Sequence, residues 1–486
     1  MSIDVIARLK AQAARPERVW LQDGRVRYAD LLDETGRLAN ALVDLGLVKG
    51  DRLLLQADKC EAVLSLYLAC LRLGVVFLPV NPGYTSAETA HFLADAEPAL
   101  VVTDPGRLAG LTALGARALV LSDLLAAATS QGAGFDDPTH MPDDLAAILY
   151  TSGTTGRSKG VMLSRENLAS NAEALVGLWR FTEDDVLLHA LPVFHTHGLF
   201  VATNCALCAG ASMIFQRSFS PGAVLAALPR ASVMMGVPTF YTRLLADPGL
   251  TRAACAHIRL FISGSAPLSP ATHAEWRDRT GHAILERYGM TETNMITSNP
   301  YQGERKAGTV GMPLPGVEVR ITGPEGVLPQ GEAGAIEVRG PNVFRGYWRL
   351  PEKTAEEFRD GWFVTGDMGA FDAEGYLSIL GRAKDLVITG GLNVYPAEVE
   401  AALDDLPGVA ASAVIGVPHP DFGEAVVACV VGKVDEDAVR AALRDRLAAF
   451  KIPKRVLVLE DLPRNAMGKV QKAELRRAHA GIFADG

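Results

Sequence analysis

Residues 150–160 read YTSGTTGRSKG and follow directly on the apolar run LAAILY (145–150). The apolar run predicts a buried strand, and the segment after it gathers small, polar and cationic residues. Glycine lets backbone N–H groups approach a ligand closely. Thr151, Ser152, Thr154, Thr155 and Ser158 add hydroxyl donors, while Arg157 and Lys159 add positive charge. These are the parts of a cradle for phosphate oxygens, although the same composition also marks an ordinary surface turn. A Walker A loop is excluded, because it needs G-x-x-x-x-G-K followed by Ser or Thr. Here Gly153, Gly156 and Lys159 are spaced by threes, and Gly160 stands where the hydroxyl is required.

The chain has 486 residues, more than one hydrophobic core supports, so two or three domains are expected. It is 49% hydrophobic and 21% charged with a net charge of -9, and it lacks the basic run of a nucleic-acid footprint. The apolar stretch AVLSLYLACLRLGVVFLPV (62–80) is broken by Arg72 and reads as a buried helix followed by a strand, not a membrane span. At the N-terminus VIARLKAQAA alternates charge and apolar residues like an amphipathic helix, without a signal-peptide core. Cys205 and Cys208 form CALC with no second ligand pair, which reads as buried small hydrophobes rather than a zinc site. The expectation is a cytoplasmic protein that handles small molecules, with neither nucleic acid nor membrane as partner.

Between about residues 25 and 270, helical patterns alternate with short apolar runs, among them RLLLQ, VVFLPV, ALVVTD, SMIFQ, VMMGV and LFISG. Such runs indicate α/β architecture with sheets covered on both faces. After about residue 305 the texture turns to Gly- and Pro-punctuated β structure. From about 384 a module of roughly 100 residues reads β, α (PAEVEAALDDL), β, β, α (EDAVRAALRDRLAAF), β. The polar GRAKD (381–385) is the expected junction, dividing the chain into 1–383 and 384–486.

Four further stretches recur in order: ISGSAPLS (262–269), ERYGMTET (286–293), FVTGDMG with LGRAKDLVITGG (363–369 and 380–391), and LPRNAMGKVQK (462–472). Together with the opening stretch they resemble, over nearly the whole chain, the adenylate-forming superfamily of acyl-CoA synthetases, peptide-synthetase adenylation domains and luciferases. The resemblance implies a large N-terminal domain of two αβ-layered halves plus a β-barrel-like part, and a small mobile C-terminal domain. It implies a reaction in which ATP and a carboxylate give an acyl-adenylate and pyrophosphate, after which a thiol displaces AMP.

It also implies roles for particular residues. Thr151, Ser152, Gly153, Thr154, Thr155, Gly156 and Lys159 would hold the β- and γ-phosphates. Gly264, Ser265 and Ala266 would line the adenine on one side, with Tyr288 stacking on the other within the run Glu286, Tyr288, Gly289, Met290. Asp367 and Arg382 would take the ribose, and Thr291 and Glu292 the α-phosphate and a Mg²⁺ ion. Lys469 is the expected principal catalytic residue, an ammonium for the charge that builds on the α-phosphorus. Lys384 matches the hinge, and Gly390 and Gly391 would line the pantetheine of coenzyme A after domain rotation. Lys469 is also a plausible target for a lysine acetyltransferase, since acetylation erases its charge.

The alternatives are an adenylation enzyme for another short acid, loading CoA or a free-standing carrier protein, a luciferase-like oxygenase on the same fold, and a catalytically dead nucleotide-binding regulator. No carrier-domain pattern follows Lys472, and the full set of expected polar residues speaks against the dead regulator.

The acid is read from Arg287. In relatives that activate long or aromatic acids this position, before Tyr-Gly-Met-Thr-Glu, is commonly glycine. An arginine there shortens the acyl pocket and leaves a buried cation, which a second carboxylate on the substrate would neutralise bidentately. The competing reading is an ion pair between Arg287 and Glu286. His195 matches the family's gating aromatic position, and Thr196 and His197 add polarity that a fatty-acyl pocket would avoid. Taken together, HALPVFHTHGLFVATN, SGSAPLS and LERYGMTETNM are most similar to the malonyl-CoA synthetases, so malonate is the expected substrate, with methylmalonate a second.

Overall fold

The computed structural model describes residues 4–151, 158–390, 392–444, 446–465 and 468–483. Ser152, Gly153, Thr154, Thr155 and Gly156 of the expected phosphate loop, and Gly391 of the expected CoA tunnel, lie outside the described residues.

Two αβ layers and two β-rich parts make up the chain. In the seven-stranded sheet, Leu145–Thr151, Val76–Pro79, Arg52–Gln56, Leu100–Thr103 and Ala118–Val120 run parallel in that spatial order. The nine-stranded sheet has a parallel centre formed by Leu285–Met290, Leu260–Ser263, Val233–Gly236, Val186–His189 and Ser212–Phe215. Strands such as Val76–Pro79, Leu260–Ser263 and Val233–Gly236 are buried along their whole length, as expected when helices cover both faces. One continuous apolar core joins the two sheets through the helices Val5–Ala13, Tyr28–Asp44 and Glu61–Leu73. Arg72, which interrupts the apolar stretch, is buried against Asp137 at 3.0 Å and satisfied by backbone carbonyls of Leu32 and Phe135.

A six-stranded antiparallel sheet follows, from Glu318–Gly323 to Leu377–Arg382, and then a five-stranded one from Val387–Thr389 to Arg455–Leu459. The last sheet carries its own apolar clusters on both faces.

Two local differences from expectation have physical reasons. Leu145–Thr151 pairs antiparallel with Lys159–Ser164, with Thr151 opposite Lys159. The returning strand KGVMLS was hidden by the polar residues that precede it. The helix expected from EDAVRAALRDRLAAF ends early, at Glu436–Leu443. Beyond it the chain must turn back to feed Arg455–Leu459 in parallel beside Gly423–Gly432, and Leu447 and Phe450 pack on the core from that turn.

Candidate active site

The parallel strands of the nine-stranded sheet end together, and ligands of open α/β sheets bind at such carboxyl ends. Ser263 pairs with Glu286 and with Gly236, so the loop from Gly264 and the strand bearing Arg287 and Tyr288 leave the sheet side by side. The Leu285–Met290 strand then turns through Thr291 and Glu292 into Asn294–Ser298. Gly289 is required there because a Cβ would collide with the Asn294 carbonyl.

Tyr288 donates its hydroxyl to the Asp367 carboxylate, and Arg382 Nε lies 2.7 Å from Asp367 Oδ1. Asp367 and Arg382 meet because they are register partners on two antiparallel strands. An ionised carboxylate has about four acceptor positions, so Asp367 keeps capacity for ribose hydroxyls. Burial pushes the Tyr288 hydroxyl well above its ordinary pKa, with Asp367 adding to the effect.

Glu292 is buried and accepts a hydrogen bond from the Tyr347 hydroxyl at 3.1 Å. Burial raises its pKa, opposed by the Tyr347 bond and by the charges of Arg382 and Lys159. Lys159 Nζ stands 4.0 Å from the Tyr347 ring centroid and 3.4 Å from Glu357. Tyr347 therefore ties the phosphate-loop lysine to Glu292, a role for which GYW in the sequence carried no signal. Among the described residues no cluster of three or more His, Cys, Asp or Glu could hold a metal. Glu292 offers one hard carboxylate oxygen ligand, which fits Mg²⁺ completing its shell with phosphate oxygens and water.

On the other face of the same strand lies Arg287, 3% exposed. Its Nε and Nη2 have no partner, and burial lowers its pKa to about 9. Glu286 does not answer it, because adjacent strand residues point to opposite faces. The Glu286 carboxyl instead meets the amides of Leu268 and Gly308, and burial raises its pKa to about 8. The guanidinium lies against Gly264, where a Cβ would come within 2.6 Å of Cζ, Nη1 and Nε. Gly264 thus turns its missing side chain toward Arg287. More buried polar atoms without partners belong to this region: Thr196 Oγ1, His197 Nε2 and Ser263 Oγ. His197 Nδ1 is 3.2 Å from Ser265 Oγ, and Ser265 adopts φ +72°, a conformation side chains rarely take. Ala266 follows in the same half-buried loop. Residues His197–Ala202 form a π-helical turn that the sequence did not announce, a feature common at functional sites.

Lys469 reaches the site from the C-terminal module. It sits in a tight turn in which Arg464 bridges to Val470 and the Lys469 N–H donates to Asn465 Oδ1 at 3.0 Å. Gly468 (φ +75°) rests on Thr239, whose Cγ2 would lie 2.9 Å from an added Cβ. Lys469 is exposed to solvent, yet neighbouring protein atoms crowd its ammonium. Desolvation there lowers its pKa, Arg382 and Lys384 lower it further, and Asp367 and Asp385 oppose them. His195 feels both cations: burial first, then the charges of Arg287 and Lys469, hold its pKa down at about 4. It is neutral at physiological pH.

Lys384 and Gly390 are exposed, although Lys384 stands near enough to Lys469 and Asp367 for their charges to interact. Lys384 lies exposed in a short turn at Ala383–Asp385, its pKa lowered first by burial. Gly390 (φ +57°) tops an exposed hairpin and donates its N–H to the Phe422 carbonyl at 2.9 Å, within the C-terminal module. Cys205 and Cys208 are buried in the helix Thr203–Ala209.

Tyr288, Glu292, Asp367 and Arg382 gathered where parallel strands end, with a lysine from a second module beside them, make the arrangement of an adenylate-forming enzyme. The chain belongs to the family of AMP-binding enzymes, whose members match residues 9–348, and residues 398–469 match the AMP-binding enzyme C-terminal domain. It is similar to the ATP-bound crystal structure of MatB from Rhodopseudomonas palustris, at 54% identity and TM-score 0.96, covering 99% of this chain and 100% of that one. Among curated relatives, a feruloyl-CoA synthase of Amycolatopsis sp is 39% identical over 93% of each chain. A malonate–CoA ligase of Arabidopsis thaliana is 35% identical over 93% of this chain and 83% of its own.

Proposed function

We propose that this chain ligates malonate to coenzyme A with ATP, releasing AMP and pyrophosphate. The observation that carries the reading is Arg287, a buried guanidinium with two unpaired donor nitrogens and, among the described residues, no protein anion facing it. The positive charges of Arg287 and Lys469 both act on neutral His195, and a short dianion neutralises both. The distal carboxylate takes Arg287 bidentately, which leaves the other directed toward Lys469 and the nucleotide. The malonate–CoA ligase among the curated relatives supports the same reading.

In the first half-reaction a carboxylate oxygen of malonate forms a bond to the α-phosphorus of ATP, and the bond from that phosphorus to the pyrophosphate oxygen breaks. The Lys469 ammonium offsets the negative charge that develops there, worth several kcal/mol when preorganised. Asp367 and Arg382 hold the ribose, Tyr288 offers its ring to the adenine, and Lys159 holds the outer phosphates. Glu292 would hold Mg²⁺, which when bound neutralises phosphate charge as a Lewis acid. In the second half-reaction the CoA thiol loses its proton, its sulfur bonds to the acyl carbon, and AMP leaves. That step requires the C-terminal module to turn about Lys384 and bring the Gly390 hairpin to the site. Acetylation of Lys469 by a lysine acetyltransferase would stop the first step by removing the ammonium. The substrates ATP and CoA suit a cytoplasmic setting.

The test is pyrophosphate release with malonate, methylmalonate, acetate, octanoate and ferulate, followed by CoA-dependent AMP release. Malonate is expected to be preferred and CoA to accelerate turnover. Preference for ferulate or acetate, or acceleration by a carrier protein and not by CoA, refutes the assignment.

A further inference from the structure

Gly264 follows the strand Leu260–Ser263, and its φ is not positive, so backbone conformation does not demand glycine there. Space does. The strand register sets Ile262 opposite Leu285 and Ser263 opposite Glu286, and carried one step on it sets Gly264 beside Arg287. The three atoms nearest to a Cβ at Gly264 are Cζ, Nη1 and Nε of the Arg287 guanidinium, and no backbone atom is among them. A wall of the adenine cleft would need the same glycine for a different neighbour.

We propose that Gly264 determines acid specificity: its bare α-carbon is the seat on which the Arg287 guanidinium lies to meet the substrate's second carboxylate. This rests on the assignment of Arg287 as the anchor of a diacid. Any side chain at 264 lifts the guanidinium off the strand end. Because the three nearest atoms all belong to the flexible end of one side chain, the protein gives at Arg287 and keeps its backbone. The bidentate geometry is lost, and hydrogen bonds weaken steeply with angle and distance.

The proposal is tested by a double-mutant cycle with Gly264→Ala and Arg287→Ala, reading KM separately for malonate and ATP. Gly264→Ala is expected to raise the malonate KM about tenfold or more and to leave the ATP KM within about twofold. In the Arg287→Ala background the alanine at 264 should have no further effect on malonate, since residues that act through one contact are not additive. An unchanged malonate KM, an equal loss in both backgrounds, or a rise in the ATP KM alone overturns the proposal. If the wild-type enzyme activates malonate and the cycle is additive, only the role of Gly264 falls. If the wild type activates no diacid, the assignment of Arg287 falls and this inference with it.

Discussion

Replacing Arg287 with methionine should uncouple stability from function in opposite directions. Burial lowers the pKa of this arginine from its ordinary value to about 9. That drop corresponds to about 5 kcal/mol at most, the cost of keeping the guanidinium charged in its dry site. The sign follows from linkage. A base whose pKa is depressed by folding carries this cost at all pH values below about 9 and sheds it only as pH rises from there toward the ordinary arginine value. Methionine fills comparable volume without charge, and hydrophobic replacement of buried ions is often stabilising by about 1–4 kcal/mol. The ligand-free Arg287→Met protein should therefore melt a few degrees above wild type. Its malonate kcat/KM should fall by about 30- to 150-fold, the loss of one charge-assisted pair of about 2–3 kcal/mol. Differential scanning calorimetry without ligand and initial-rate pyrophosphate release give the two numbers. An unchanged malonate kcat/KM would refute the anchor, and a large loss of stability would refute the claim that the guanidinium is unpaired in the free enzyme.

Lys469→Ala should reduce acyl-adenylate formation by orders of magnitude while CoA attack on supplied acyl-adenylate stays near wild type; single-turnover assays of each half-reaction separate the two, and equal loss in both contradicts the assigned role. Thr239→Phe fills the space in which Gly468 rests and should slow the adenylation step about tenfold or more, with thioester formation spared, read in the same pair of assays. The ratio of malonate to propionate kcat/KM should be constant near neutral pH and fall as pH rises through about 9, because only protonated Arg287 binds the second carboxylate. Taking the ratio cancels the alkaline limb contributed by Lys469, and a ratio that stays flat to pH 10.5 would contradict the prediction.

Much of this was legible in the sequence because the signals are local. Apolar runs such as LFIS and VMMG become fully buried parallel strands, and the order of the glycine- and hydroxyl-rich stretches marks a nucleotide site. The arginine ahead of YGMTE is the residue on which the proposal of a short acid with a second charge rests. The sequence could not decide whether Arg287 pairs with Glu286, since neighbours in sequence look like neighbours in space. The strand geometry decided it, because alternate residues leave opposite faces. Nor could it show that Tyr347 would bridge Lys159 to Glu292, or that Gly468 would seat on Thr239, 229 positions away. The role of Gly264 was hidden for the same reason. Its identity as glycine is local information, but the side chain that requires it arrives from a neighbouring strand, and only the register of the folded sheet sets the two face to face.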